Sequence, residues 1–200
     1  MSPRGIEQNN TMRKETLEKV TKAALAVFTE YGYHGATMKM ITDATELSYG
    51  LVYHYFTSKE ELFSHLVNLA LEKTQSIFEK ALSKEGTAWE KLTYLSCAFL
   101  DESLIGDSDS ALFFHIMLQA ITQSKHIPGL KENIDISSRA IVEKMIQIVV
   151  QAQESGDAAQ GEPVTLIIAY LSLVQGLYTF QEANVLKSIK PDILLNVLKK

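Results

Sequence analysis

The 200 residues carry 46% apolar and 22% charged side chains, enough apolar material for one large domain or two small ones with real cores and too balanced a mixture for a disordered chain. The formal net charge of −5 and an isoelectric point near 5.6 exclude a protein coated throughout in basic residues. A single cysteine, Cys97, excludes an internal disulfide and a cysteine-cluster metal site, and fits a reducing cytosol.

Glycine and proline are scarce, no alternating apolar-polar run occurs, and helical periodicity recurs along the whole chain, so an all-α fold is expected. The N-terminal M-S-P-R-G-I-E-Q-N-N lacks an apolar core and reads as a flexible arm rather than a signal peptide. A first helix is predicted from about Arg13 to Tyr31, with Leu17, Val20, Ala24, Val27, Phe28 and Tyr31 on one stripe and Gly32 as its stop. Thr37 then caps a second helix with Met40, Ile41 and Ala44 inward, and Ser48 caps a third with Leu51, Val52 and Tyr55 or Phe56 inward. Only Thr45, Glu46 and Leu47 separate them. So short a turn forces a steep crossing, the geometry of a helix-turn-helix whose second helix enters the major groove. Ser58 opens a capping box with Glu61, starting a fourth helix that runs from Lys59 to about Leu82.

This stretch resembles the TetR family of bacterial transcriptional repressors. The resemblance rests on V-T-K-A-A-L-A-V-F (Val20 to Phe28), on Y-G-Y (Tyr31 to Tyr33) and on Ser-x-Gly-x-x-Tyr-x-Tyr-Phe-x-x-Lys-Glu from Ser48 to Glu60, and it covers roughly residues 13 to 65. The family usually has Ala-Gly-Val in the turn where this chain has Thr45-Glu46-Leu47. A left-handed glutamate there would cost roughly 1 kcal/mol. The resemblance implies that residues matching Thr37, Lys39, Tyr53, His54 and Lys59 bind phosphates or bases, while those matching Tyr55 and Phe56 more often pack inside. Ser48, Tyr49, Gly50 and Leu51 stand at the start of the reading helix, where side chains reach base edges, and Gly50 lets the backbone approach closely. Residues 1 to 60 hold seven Lys and Arg against seven Asp and Glu, and residues 61 to 200 hold twelve against seventeen. The reader is therefore neutral, and a shallow salt dependence is expected.

Further along, Thr87 and Glu90 form a second capping-box pattern, starting a fifth helix to about Ile105. A sixth is expected over Ser110 to Gln123, a seventh from Leu130 to Glu154, an eighth from Pro163 to about Asn184, and a short ninth opened by Pro191. The run Val164 to Phe180 is interrupted by Thr165, Ser172, Gln175 and Thr179 and spans about 26 Å as a helix, short of the roughly 30 Å hydrocarbon core, so no membrane span is expected. The eighth helix is apolar nearly all round and is expected to pack partly against a second copy of the chain. The resemblance implies the same, a homodimer through the last helices.

Tyr94, Phe99, Phe113, Phe114, Met117, Tyr170 and Tyr178 are candidates to line an effector cavity, with Gln175, Gln119 and His115 to orient a ligand. A plain core has the same periodicity, and only the resemblance favours a pocket. Catalytic and metal sites are not expected. The histidines at 34, 54, 65, 115 and 126 are scattered, no nucleophile elbow or phosphate-cradling loop occurs, and Glu60-Glu61 and Asp101-Glu102 are adjacent and so diverge around a helix.

Residues 1–58 are thus expected to form a DNA-binding domain with a flexible arm, and 59–200 a helical effector-binding and dimerisation domain. The expected function is that of a cytoplasmic, homodimeric repressor, released from a pseudo-palindromic operator by a small, mainly apolar effector. It needs no cofactor and is not an enzyme. The neutral reader and Glu46 motivate an alternative, a helical ligand-binding or interaction protein whose reader no longer binds DNA.

Overall fold

The computed structural model describes residues 3–100, 109–179 and 189–200. Among them every regular element is helical: α1 (Pro3–Gly35), α2 (Met38–Thr45), α3 (Tyr49–Tyr55), α4 (Lys59–Ser83), α5 (Ala88–Leu100), α6 (Ser110–Gln123), a 3-10 turn (Ser124–His126), α7 (Leu130–Glu154), α8 (Pro163–Thr179) and α9 (Asp192–Leu195). The expected ends of the fifth helix near Ile105 and of the eighth near Asn184, and the pair Asp101-Glu102, lie outside the described residues.

Capping fixes several boundaries. Thr87 Oγ1 accepts from the Glu90 N–H at 3.2 Å while the Glu90 carboxylate accepts from the Thr87 N–H at 2.7 Å, the reciprocal pair expected of a capping box. At the start of α4, Ser58 Oγ accepts from the Glu61 N–H at 3.1 Å, but the Glu61 carboxylate reaches one residue further back, to the N–H and hydroxyl of Thr57, both at 2.7 Å. Those bonds hold the Glu61 carboxyl below its usual range. At α8, the Glu162 carboxylate accepts from the Thr165 N–H at 2.6 Å, and Pro163 occupies the first turn, where its missing N–H costs nothing.

Two expectations are corrected. α1 begins at Pro3, about ten residues before Arg13, so the segment read as a flexible arm continues the helix; Pro3 itself suits a first helical turn. Gly32 does break the helix, at φ 67° and ψ 167°. In α2 the buried residues are Met38, Ile41, Thr42 and Thr45, a stripe at helical spacing rotated from the expected Met40, Ile41 and Ala44. Both threonines can be buried because their hydroxyls bond within the helix, Thr42 to the Met38 carbonyl at 2.9 Å and Thr45 to the Thr42 carbonyl at 2.8 Å.

The chain divides into two compact units. The first comprises residues 1–70 and 115–131. Its core packs Phe28 edge-on to Phe63 with ring centres 5.1 Å apart and Tyr33 against Phe63 at 4.8 Å, beside buried Val20, Ala24, Ile41, Val52, Leu62 and Leu66. The second comprises residues 71–114 and 132–200 and is built around Phe78, Leu92, Leu95, Met145, Ile148, Val149, Ile167 and Tyr170. α4 contributes to both. These units are defined by packing, and their boundaries differ from the expected division at residue 58, because α4 runs from one into the other and residues 115–131 pack with the first.

α8 buries one stripe within its own chain, Ile167, Tyr170, Val174 and Tyr178, and leaves Ile168 58% exposed. α9 is only four residues long, and Leu194, Leu195 and the following Leu198 are buried in the second unit. The chain beyond α9 closes on the α7–α8 connection, where the Ala159 N–H donates to the Leu198 carbonyl at 2.8 Å.

Glu46 follows α2 at φ 58° and ψ 17°, the one non-glycine residue with positive φ among those described. That conformation costs a side-chain-bearing residue roughly 1–2 kcal/mol, and glycine, which relieves it, gives back about 0.4–1 kcal/mol through its greater freedom in the unfolded chain. Glu46→Gly is expected to raise stability by about 0.5–1 kcal/mol in urea unfolding; a loss would show that the side chain makes a compensating contact.

Candidate nucleic-acid interface

The α2–turn–α3 hairpin is held by two caps and a buried seam. Thr37 Oγ1 accepts from the Met40 N–H at 3.2 Å and Ser48 Oγ from the Leu51 N–H at 3.3 Å, so both hydroxyls act first as helix caps, and each retains its own proton for an outside acceptor. In the turn, the Leu47 N–H donates to Thr45 Oγ1 at 3.2 Å. α3 turns Val52, fully buried, and Phe56, 5% exposed, inward.

The other side of α3 faces out. Tyr49 is 54% and Leu51 37% exposed, Gly50 and His54 are exposed, and Tyr53 and Tyr55 are half-buried. Leu51, expected to be both inward and at a base edge, is thus on the outer side. Tyr49 and Tyr53 form a unit. Their ring centres lie 4.4 Å apart and the Tyr49 hydroxyl donates to that of Tyr53 at 2.8 Å, a bond that raises the Tyr53 pKa. His54 lies edge-on to Tyr55 at 5.6 Å, and the Tyr55 hydroxyl reaches the Arg13 carbonyl at 3.5 Å. That contact brings the exposed, cationic Arg13 of α1 beside α3. No local pattern signals such a pairing across 42 positions.

The two lysines expected to face phosphates are both engaged. Lys39 Nζ lies 2.6 Å from the Asp43 carboxylate, with both side chains well exposed; Asp43 raises the Lys39 pKa. An exposed pair of this kind is weak and readily exchanged. Lys59 is half-buried. Its ammonium donates to the carbonyls of Tyr33 at 2.9 Å and Ala36 at 3.2 Å and stands 4.6 Å from the Tyr33 ring centre. Its primary role is therefore to hold the end of α1, with one of its three donors left over. Beside it, the Tyr33 hydroxyl donates to Glu60 at 3.0 Å. Burial, and then that carboxylate, push the Tyr33 phenol up to about 12.

The candidate effector residues separate between the units. Met117, His115 and Gln119 belong to the first. Gln119 donates to the Phe28 carbonyl at 2.8 Å, and burial lowers the His115 pKa. The other seven lie in the second unit. Phe114 stacks on Tyr178 at 4.1 Å, and Phe99 faces both Phe78 at 6.1 Å and Tyr170 at 6.5 Å. Tyr170 is fully buried with its hydroxyl 2.9 Å from Ser96 Oγ, and the Tyr178 hydroxyl donates to the Phe99 carbonyl. Lys73 stands over the Phe113 ring at 4.6 Å and Lys84 over the Tyr94 ring at 4.8 Å. Gln175 is exposed on α8 and is not among these rings.

Residues 20–66 match the family model described as bacterial regulatory proteins, tetR family. The HTH-type transcriptional regulator UidR of Escherichia coli is 26% identical over 152 residues, covering 76% of this chain and 74% of its own. An uncharacterized HTH-type transcriptional regulator of Bacillus subtilis, YfiR, is 22% identical over 192 residues, covering 91% and 88%. Among solved structures, the TetR family transcriptional regulator PfmR from Thermus thermophilus matches with a TM-score of 0.73 at 24% identity, over 90% of this chain and 99% of that one, a likeness of fold.

Because Lys59 makes two charge-assisted hydrogen bonds in a half-buried position, Lys59→Ala is expected to lower stability by about 1–3 kcal/mol. Thermal and urea unfolding measure this directly. An unchanged unfolding curve would return Lys59 to a purely DNA-facing role.

Proposed function

We propose that this chain, which belongs to the TetR family of bacterial regulatory proteins, is a homodimeric repressor that binds a pseudo-palindromic operator and leaves it when a small, mainly apolar effector binds. Residues 1–58 serve as the reader and 59–200 as the effector-binding and dimerisation part. The observation that carries the reading is the division of α3 into an inner side, Val52 and Phe56, and an outer side bearing Tyr49, Gly50, Leu51, Tyr53 and His54. That outer side is the one a recognition helix turns toward base edges in the major groove.

Thr37, Lys39, Ser48 and Arg13 flank that surface and are assigned to phosphates, Lys39 by exchanging Asp43 for a phosphate oxygen. Lys59 contributes its remaining donor. Phosphate contacts set register and orientation, and base-edge contacts supply sequence preference. Dimerisation is assigned to the outer side of α8, where Ile168, Ala169, Ser172 and Gln175 are exposed; the inward burial of Leu194, Leu195 and Leu198 leaves α9 a minor part. The effector is assigned to the aromatic groups of the second unit, including Phe99, Phe114, Tyr170 and Tyr178. It acts through α4, which belongs to both units, by favouring a state in which the two reading helices leave the roughly 34–36 Å spacing of successive major grooves.

A mobility-shift assay with DNA from upstream of the chain's own gene tests the central assignment. A retarded complex competed by specific duplex supports it, and no complex at any salt would favour a reader that has lost DNA binding, as the Lys39–Asp43 pairing and neutral charge would then imply. Tyr53→Ala and Gly50→Ala are expected to weaken binding about tenfold or more while leaving the melting temperature unchanged or, for Gly50→Ala, raised.

Sedimentation at micromolar concentration is expected to give twice the 22.3 kDa chain mass, and Ile168→Glu to shift it toward monomer. Any effector must weaken operator binding by the same factor as operator weakens effector binding. A ligand that binds without that reciprocity would dispose of the switch.

A further inference from the structure

α3 reads Y-G-L-V-Y-H-Y. It contains no arginine, lysine, asparagine, glutamine, aspartate or glutamate, the side chains that make paired or accepting hydrogen bonds to guanine, adenine and cytosine edges in the major groove. Apart from the His54 imidazole and the hydroxyls of Tyr49 and Tyr53, what α3 presents is apolar. With Val52 and Phe56 inward, the helical period points Gly50 and His54 directly outward, flanked by Leu51 on one side and Tyr53 on the other, while Tyr49, at the open start of the helix, is 54% exposed and lies against Tyr53. Gly50 has no internal reason to be glycine. Its φ is not positive, and a Cβ built on it meets nothing within 4 Å, so the protein accepts a residue that weakens a helix without any gain in its own packing. The clearance serves something outside. Coulombic attraction adds little, since residues 37–58 hold Lys39 against Asp43 and Glu46.

We propose that α3 reads thymine C5-methyl groups. Leu51 and the Tyr49 ring are the contacting residues on either side of the Gly50 floor, and Tyr53 is a positioning residue that holds Tyr49 by ring contact and hydroxyl bond. The operator half-site therefore carries A·T pairs at the steps facing α3, recognised by apolar contact rather than by a hydrogen-bond pattern. This inference rests on the DNA-binding reading above.

The test uses the full-length protein and the duplex of highest affinity selected from a random-sequence pool. That duplex is synthesised with deoxyuridine replacing thymidine one position at a time, which removes a single methyl and retains the hydrogen-bonding edge. One or two positions per half-site are expected to lose about fourfold in affinity, the worth of one buried methyl group, with no loss in the flanks. Leu51→Ala is expected to bind the thymine duplex more weakly and to discriminate thymine from uracil no longer at its own position, while still discriminating at that of Tyr49. Equal affinity for uracil and thymine duplexes throughout, with a sequence selected, overturns the methyl readout and leaves the regulator reading intact. Undiminished discrimination by both Leu51→Ala and Tyr49→Ala overturns the assignment of residues. If the pool yields no preferred sequence, the operator reading fails, and this inference with it.

Discussion

The bracket formed by the end of α1 and the start of α4 is the constraint on which the reader depends. Tyr33 occupies its centre: its ring packs on Phe63, its hydroxyl bonds Glu60, and its carbonyl receives the Lys59 ammonium. Lys59 also takes the Ala36 carbonyl, one residue before the cap of α2. The two ends of segment 37–58 are therefore fixed to each other before the hairpin makes any contact of its own. A seven-residue helix such as α3 has no independent stability in water. Its existence and direction come from this bracket and from the burial of Val52 and Phe56.

The same arrangement explains how a neutral reader tolerates a glutamate in its turn. The αL conformation at Glu46 is imposed by helices already fixed at both ends, so its cost is drawn from the packing around Phe28 and Phe63 rather than relieved by a different turn. Thr45 assists by receiving the Leu47 N–H and bonding the Thr42 carbonyl, which satisfies the turn internally. The acidic side chain is exposed, where a solvated carboxylate costs little.

Local rules made much of this legible in the sequence. Thr87 with Glu90, Ser48 before α3 and the limits of α7 follow from capping and periodicity, which act over three or four residues. What escaped is what local rules cannot encode. The buried side of α2 falls on Thr42 and Thr45 because intrahelical hydroxyl bonds make threonine as buriable as the methionine and alanine that hydropathy favours. Lys59 reads as a cationic residue at a motif's edge, and only its distance to two carbonyls more than twenty residues away shows an internal role. The placement of Arg13 beside Tyr55, and of residues 115–131 with the reader, depends on contacts across 42 and 91 positions, for which a single sequence carries no pattern.

The last of these contacts joins α6 to the end of α1 close to Tyr33. Gln119 donates its amide N–H to the Phe28 carbonyl, while its amide oxygen is buried without a partner, as are Gln123 Oε1 and Thr29 Oγ1. Gln119 carries one of these oxygens next to the hydrogen bond it donates from α6 to α1. The Phe28 ring stacks on Tyr33 and meets Phe63, which places the Gln119 contact one residue from the bracket's centre. Within this unit, α3 is tied to that packing by several contacts, namely the Tyr33 bracket, the Tyr55 hydroxyl on the Arg13 carbonyl and Phe56 against His65. Were an effector to act as proposed, it would change DNA affinity by preferring one arrangement of these contacts over another, and the bracket is the element through which such a preference would reach α3.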